Sequence, residues 1–208
     1  MRGLQESFSL RKAVIALVKH AELDTKKWDE CILKDASGLF YGLSWYLDIL
    51  KKEWDALVYN DYEAVFPLIF NKKWGVHYLH RPYGVQQLGV FSKNTLSPEL
   101  VRNFVNAIPP KYAFVDVFLN STNPVGLLNA KQLNANKNFE LNLHQSYQKI
   151  YESYSTQTQR NLKKAKVCKH RVFEHDSPDQ LITLFKQNKG KEVSTLSEAN
   201  YATMRQLM

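Results

Sequence analysis

The sequence has few features that would place it in a membrane or outside the cell. Its longest early apolar run, 13–18, is interrupted at once by Lys19 and His20, so it is too short to span a bilayer and lacks the cleavage pattern of a signal peptide. The two cysteines, Cys31 and Cys168, stand far apart and match no metal or redox spacing. We therefore expect reduced thiols, no metal site and a cytoplasmic location.

The sequence also contains no known set of catalytic residues at short spacing. No Ser-His-Asp, Cys-His or paired-carboxylate arrangement can be assembled, so no nucleophile is assigned. His77 and His80 would point to opposite faces of a strand and are not expected to form a ligand pair. With 44% hydrophobic and 23% charged residues, the chain nevertheless has the composition of a folded globular protein.

Positive charge is concentrated in one segment. The net charge is +8, and six cations with no acidic residue lie between Arg160 and Arg171. Without those six, 22 of the 28 basic side chains would remain against 20 acidic ones. This pattern favours a local anionic partner, and a solvated helix face is the alternative interpretation.

Hydrophobic periodicity and turn residues predict a mixed α/β (α+β) domain. The predicted strands are 13–19, 54–59, 62–70, 76–79, 113–119, 139–143 and 171–174. The predicted helices are 24–31, 44–51, 97–107, 146–154, 155–166, 178–189 and 197 onward, with Asp24, Ser44, Ser97 and Ser155 or Thr156 as caps. We expect four of the strands, 54–59, 62–70, 76–79 and 113–119, to share one mostly antiparallel sheet with helix 97–107 packed on one face.

Several details of this sheet are specific enough to test. The dipeptide Asn60-Asp61 is expected to turn a hairpin, and 76–79 would follow as the third strand of a meander. Pro67 cannot donate a ladder hydrogen bond, which predicts a sheet edge or bulge at that position. The continuous apolar runs 13–19 and 113–119 predict buried strands, the second of them buried on both faces.

Four segments in this order resemble the FemAB-like branch of the GNAT acyl-CoA N-acyltransferase superfamily. They are Ser44-Trp45-Tyr46-Leu47, the hairpin arms 54–58 and 64–68, Gln86-Gln87-Leu88-Gly89, and Tyr154-Ser155 followed by Arg160-Asn161-Leu162-Lys163-Lys164-Ala165. The resemblance implies a GNAT-like, mostly antiparallel mixed sheet flanked by helices, as the first of two GNAT-like domains. After a disordered leader at 1–12, the first domain would occupy 13–144, and 145–208 would hold a helical segment and the truncated start of the second.

The resemblance also implies N-acyl transfer to an amine. The donors would be acyl-CoA or aminoacyl-tRNA, and the acceptor a small-molecule amine, including nucleotide-linked precursors. Enzymes of this kind bind pyrophosphate at a Gln/Arg-x-x-Gly-x-Gly/Ala turn, where small residues let the phosphate approach the backbone amides. The nearest match is Gln86-x-x-Gly89-x-Phe91, with a bulky residue at the last position. We therefore expect the chain to lack the main donor-binding turn, to be incomplete, and to be inactive alone with acyl-CoA.

The candidate site residues fall into two groups, and Asp116 stands apart from both. A polar, Gly-bounded loop and two aromatic residues are expected to line the substrate pocket: Arg81, Tyr83, Gln86, Gln87, Tyr41 and Trp45. The basic helix would bind phosphate through Arg160, Asn161, Lys163 and Lys164. Asp116, inside an apolar strand, is either hydrogen-bonded structure or a general base, and we favour the structural role.

Two other function classes stay open at this point. The chain could be a nucleic-acid-binding module that uses the basic helix 156–167, with Tyr147, Tyr151 and Tyr154 as stacking platforms and tRNA among its partners. However, these tyrosines share the apolar face of their helix, a pattern that favours core packing. A non-catalytic substrate-binding domain is the third possibility.

Overall fold

The computed structural model describes residues 14–129, 131, 133–168, 177–193 and 195–208. Its strands are β1 (Ile15–Lys19), β2 (Asp55–Tyr59), β3 (Ala64–Leu68), β4 (Phe70–Lys73), β5 (Val76–His80), β6 (Phe91–Ser92) and β7 (Tyr112–Asp116). Its α-helices are α1 (Thr25–Lys34), α2 (Ser44–Leu50), α3 (Pro98–Asn106), α4 (Tyr147–Ser153), α5 (Thr156–Val167), α6 (Pro178–Gln187) and α7 (Glu198–Leu207). The predicted α+β class is confirmed. The predicted leader at 1–12 and the predicted strand 171–174 lie outside the described residues.

The strands form two sheets instead of the single sheet predicted. The first has the order β1-β2-β3-β6 and is antiparallel throughout, and the second has the order β4-β5-β7. β6 pairs with β3 only at Ala64 and Val65, so Pro67 lies where β3 has a neighbour on one side only. The predicted edge at Pro67 is thus confirmed. The chain then enters the second sheet at Phe70, and the predicted three-strand meander is wrong.

The hairpin of β2 and β3 is confirmed, but its turn is longer than predicted. Tyr59 pairs with Ala64, so the connection has four residues, 60–63, rather than the Asn60-Asp61 dipeptide alone. Asn60 and Tyr62 have φ values of 50° and 57°, in the left-handed region. Asn60 tolerates that region well, as expected, whereas Tyr62 carries no sequence signature that would have predicted it.

The strands β1 and β7 were predicted to be buried, and both lie at sheet edges. β7 joins the second sheet parallel to β5, after the chain crosses over through α3. Phe114 in β7 is 59% exposed, and Val115 beside it is also exposed. In β1, Leu17 is exposed as well. An apolar run does not distinguish a central strand from an edge strand, and this ambiguity accounts for the error.

Two hydrophobic clusters hold the sheets and helices together. The first packs α1 and α2 on the first sheet and includes the fully buried Trp28, Leu47 and Trp54. The second includes Phe66 and Phe104, which joins α3 to the sheet as predicted. Burial of each such side chain contributes about 1.5–3 kcal/mol, so these clusters hold α1, α2 and α3 against the strands.

The predicted helix caps are confirmed except at Ser44. Asp24 accepts a hydrogen bond from the amide of Lys27, and Ser97 accepts one from Leu100. Ser44 is instead the first residue of α2, and its amide and hydroxyl both donate to the carboxylate of Asp29 at 2.7 Å. A carboxylate from α1 therefore satisfies one of the free amides at the start of α2.

The C-terminal part of the chain is helical and packs back on the first cluster. α7 contacts α2, and Leu207 near its end joins the cluster around Trp54. The predicted strand 139–143 is wrong: the segment is irregular, and Phe139 is 91% exposed. Its alternating apolar residues have no strand partner among the described residues to pack against. No helix in the described part of the chain is both long enough and apolar enough to cross a bilayer.

Candidate functional site

A wide groove lies between the loop that follows β5 and helix α7. Its volume is about 850 Å³, within the range of small-molecule sites. It is lined by Tyr41, His80, Arg81, Pro82, Tyr83, Gly84, Val85, Gln86, Phe185, Val193, Thr195, Leu196, Asn200, Met204, Leu207 and Met208. Four of the six predicted pocket residues, Tyr41, Arg81, Tyr83 and Gln86, therefore lie together on one surface.

The loop is held in place by hydrogen bonds to α2 and α7. The hydroxyl of Tyr46 donates to the carbonyl of Gly84 at 2.7 Å, and burial raises the pKa of Tyr46, which keeps it a donor. The hydroxyl of Tyr83 lies 3.4 Å from the sulfur of Met204. Gly84 has a φ of +87°, a conformation that other residues rarely adopt. The lining is thus built on a rigid support.

An imidazole and a carboxylate meet at the end of this groove. Nδ1 of His80 lies 3.0 Å from Oδ2 of Asp116, and both side chains are about half exposed. The two residues are paired at the ends of the parallel strands β5 and β7. Asp116 therefore has a hydrogen-bonded partner, as the structural interpretation of this residue requires. That partner, His80, also lines the groove, so the pair is open to a bound ligand.

The role of His80 was missed from the sequence. We had considered it only as a metal ligand together with His77, whose ring packs against Phe70. A signal existed in principle, because a histidine and an aspartate that end adjacent parallel strands must lie side by side. Recognising it required the β5–β7 pairing, which local patterns did not indicate.

Arg81 supplies a fixed positive charge beside this pair. Its guanidinium carbon lies 4.1 Å from the ring centroid of Phe118, in cation–π geometry. Stacking restrains the side chain while leaving its hydrogen-bond donors available. No Asp or Glu is among the groove-lining residues of the described chain. The groove therefore favours a ligand with a negative or strongly polar group.

The remaining two predicted pocket residues do not line the groove. Trp45 is half-exposed and packs edge-on against Tyr46, with ring centroids 5.5 Å apart. Gln87 accepts a hydrogen bond from the amide of Ser121 at 3.1 Å and so fixes a different loop. Gln86, in contrast, lines the groove and donates to Asn138 at 2.9 Å.

The segment that most nearly matches a pyrophosphate-binding turn has its amides occupied. The amide of Leu88 donates to the carbonyl of Phe118 at 2.8 Å, and that of Val90 donates to Oδ1 of Asn123 at 2.9 Å. Phe91 is fully buried in β6. A phosphate that used the amides of Leu88 and Val90 would have to displace these bonds.

The predicted phosphate-binding residues lie on a separate surface. Arg160, Asn161, Lys163 and Lys164 are all exposed on α5, and none of them lines the groove. Asn161 accepts a hydrogen bond from Gln157 one turn earlier. The structure therefore does not combine the two predicted groups of site residues into one site.

Neither a metal centre nor a known relative accounts for the groove. Within the described ranges, no three His, Cys, Asp or Glu side chains lie close enough together to hold a metal ion. The candidate site accordingly rests on its own geometry: a groove, a histidine–aspartate pair and a stacked arginine. Comparisons with protein-family models, curated proteins and solved structures find no match to the chain.

Proposed function

We propose that this chain provides the amine-binding and proton-accepting part of a cytoplasmic N-acyltransferase. The observation that supports this most strongly is the His80–Asp116 pair at the end of the groove. An amine that attacks a thioester or ester must lose a proton, and histidine is the side chain most often used to accept one. The FemAB-like resemblance of the sequence points to the same reaction.

The geometry assigns each nitrogen of His80 a role. An ionised carboxylate only accepts hydrogen bonds, so Nδ1 carries the hydrogen in the bond to Asp116. Nε2 is then left with a lone pair that can accept the proton of the attacking amine. Asp116 orients the ring and stabilises the imidazolium that forms. The amine nitrogen bonds to the acyl carbon as the bond from that carbon to the donor's sulfur or oxygen breaks, and the departing thiolate or alkoxide takes the proton from Nε2 to become the thiol or hydroxyl.

The charge and lining of the groove support a role in recognising the acceptor. Arg81 would bind an anionic group on the acceptor, as a nucleotide-linked amine carries, and Tyr41 and Tyr83 would pack against its apolar parts. The donor would be acyl-CoA or aminoacyl-tRNA, and we do not expect its nucleotide portion to bind at 86–91, where the amides of Leu88 and Val90 already have partners. We propose that the chain recognises the acceptor rather than the nucleotide of the donor.

A short acyl thioester tests this proposal because it needs no nucleotide site. The chain is incubated with the acetyl thioester of N-acetylcysteamine and a panel of primary amines, and amine-dependent thiol release is measured. We expect release that decreases by about 100-fold or more in His80→Gln, the usual contribution of a general base. Acetyl-CoA should give no amine-dependent release above background, because the chain is expected to lack the main donor-binding turn.

The matched control is His77→Gln, which changes the same residue type on the same strand outside the groove. It should leave the rate unchanged. Equal rates for His80→Gln and the unmodified chain would refute the assignment of the base. Absence of amine-dependent release for the whole panel would favour the non-catalytic binding domain instead.

A further inference from the structure

The helices α4 and α5 carry aromatic and basic side chains that do not line the groove. Tyr147, Tyr151 and Tyr154 follow one another along α4 and its end, with ring centroids 6.2 and 6.3 Å apart. We predicted that these tyrosines pack in the core, and for Tyr147 this is wrong, because its side chain is 63% exposed. Ile150 alone anchors the helix as a buried residue. The rings thus form a partly exposed ladder.

The adjoining helix α5 carries only positive charge. It contains four cations and no acidic residue over 12 residues, and none of its residues is buried. At 100° per residue, Arg160, Lys163 and Lys164 fall within about a 100° arc of the helix surface. These three side chains can therefore contact one anionic strand at the same time.

The tyrosine ladder and the cationic helix are joined firmly. The side-chain amide of Gln159 on α5 donates to the backbone carbonyls of Tyr151 and Tyr154, both at 3.2 Å. Ser155 caps α5 by accepting from the amide of Thr158. The bonds from Gln159 satisfy two carbonyls at the end of α4 and fix the angle between α4 and α5. The tyrosine rings therefore keep a fixed position relative to the cations of α5.

From this arrangement we propose that the α4–α5 surface binds single-stranded nucleic acid. Bases would stack on the tyrosine ladder, and Arg160, Lys163 and Lys164 would contact the phosphates that connect them. Proteins bind single strands through this combination of aromatic platforms and a basic track. The inference does not depend on acyl transfer in the groove.

A membrane surface fits the same helices less well. A helix that lies on a bilayer inserts a continuous apolar face. α5 has only Leu162, Ala165 and Val167 as apolar residues, and Val167 falls on the cationic side. Charge would attract α5 to anionic lipid, but nothing on it could insert. The exposed ring of Tyr147 instead offers a flat aromatic face on which a base can stack.

The test measures fluorescence anisotropy with a labelled single-stranded RNA of about 15 nucleotides, long enough for one site. A DNA strand of the same length distinguishes RNA from single strands in general, and both should bind. With three phosphate contacts, affinity should decrease roughly 20-fold between about 50 and about 200 mM salt. The triple variant Arg160→Ala/Lys163→Ala/Lys164→Ala should lose most of this salt dependence.

Tyr147 tests the stacking contribution separately. Tyr147→Ala should weaken binding by between about 5-fold and about 100-fold, and Tyr147→Phe should retain the affinity because the ring remains. Two controls match these changes elsewhere on the surface. Lys26→Ala/Lys52→Ala/Lys72→Ala removes three exposed charges, and Phe139→Ala removes an exposed ring. Neither control should change binding by more than about twofold.

Several outcomes would overturn the proposal. They are equal losses in the two triple variants, an unchanged affinity in Tyr147→Ala, and binding to anionic vesicles without binding to either oligonucleotide. Circular dichroism of each variant checks that α5 stays helical. If the triple variant unfolds, the single variants Lys163→Ala and Lys164→Ala replace it, and each should reduce the salt dependence by about a third.

Discussion

The buried carboxylate of Asp55 connects the two sheets, and its substitution should therefore have a large effect on stability. Its Oδ2 atom accepts hydrogen bonds from Lys19 at 3.0 Å, Lys111 at 2.6 Å and the hydroxyl of Tyr112 at 2.5 Å. Asp55 belongs to β2 in the first sheet and Tyr112 to β7 in the second. Asp55→Asn keeps the shape of the side chain but removes the charge that all three donors share.

The magnitude follows from the environment of each donor. The bond from Tyr112 joins two buried groups, one of them charged, and such a bond is worth about 1.5–3 kcal/mol. The side chains of Lys19 and Lys111 are 53% and 37% exposed, so solvent screening limits each of them to at most about 1 kcal/mol. Because asparagine can still accept one bond, we expect Asp55→Asn to lower the free energy of unfolding by about 2–4 kcal/mol.

Urea unfolding followed by tryptophan fluorescence measures this change. Trp28 and Trp54 are buried and packed together in the first cluster, so their emission reports on unfolding of the core. Asp61→Asn is the matched control, because Asp61 also pairs with a lysine, Lys27 at 2.6 Å, but is 73% exposed. It should leave the unfolding midpoint unchanged. Equal effects of the two substitutions would refute the role assigned to Asp55.

The same carboxylate should make stability depend on acid pH. Burial opposes ionisation of Asp55, but hydrogen bonds from Lys111, Tyr112 and Lys19 outweigh it and lower its pKa. In the unfolded chain the group titrates near pH 3.9, at a higher pH than in the folded protein. Its stabilising contribution is therefore present above about pH 4 and is lost as the pH falls through the lower folded pKa. The difference between Asp55→Asn and the unmodified protein should narrow in that range.

Two further predictions concern the second sheet and the loop beside the groove. Burial and the bond to Asp55 raise the pKa of Tyr112. The contribution of Tyr112 to stability is therefore present below about pH 10 and is lost as the pH rises above that value. In urea titrations at alkaline pH, Tyr112→Phe should lose stability less steeply than the unmodified protein. Gly89 has a φ of +94°, and an added Cβ would lie 2.2 Å from Oδ1 of Asn123, so Gly89→Ala should cost about 2 kcal/mol or more in thermal unfolding. Gly75→Ala, with a φ of +82° and no atom within 4 Å, should cost only about 1 kcal/mol.

The helices could be predicted from the sequence because their determinants are local. A cap such as Asp24 or Ser97 acts on amides within three residues, and an apolar stripe repeats every three or four residues. These patterns place α1, α3 and α7 without knowledge of the rest of the chain. Ser44 shows the limit of this reasoning. Its partner, Asp29, lies on another helix, so the serine resembles a cap but occupies the first helical turn.

The sheets were less predictable because a strand's neighbours lie far away in sequence. The run 113–119 has the apolar content of a central strand, and only its position at the edge of the second sheet explains why Phe114 is exposed. The segment 139–143 alternates like a strand, yet it finds no partner in the described part of the chain. An apolar pattern indicates which residues favour burial, but the pairing of strands determines which of them are buried.

The candidate site was predictable only in part, for the same reason. The loop that follows β5 could be recognised because glycine and proline bound a polar connection, and four of the predicted pocket residues line the groove. The pairing of His80 with Asp116 needed a parallel strand reached through α3 and a register shift between His77 and Tyr78. The residues next to His80 and Asp116 in sequence do not indicate this crossover.

The contrast between Asp55 and Asp116 shows why the second aspartate, and not the first, is assigned to function. Both lie at strand ends next to basic or imidazole groups, so residue type and position do not separate them. Asp55 is buried and accepts hydrogen bonds from three donors on one oxygen, which ties it to both sheets. Asp116 is half-exposed and engages the imidazole of His80, which lines an open groove. Burial and the number of donors therefore give Asp55 the structural role that we had favoured for Asp116, and they agree with the proposal that Asp116 orients the ring of His80.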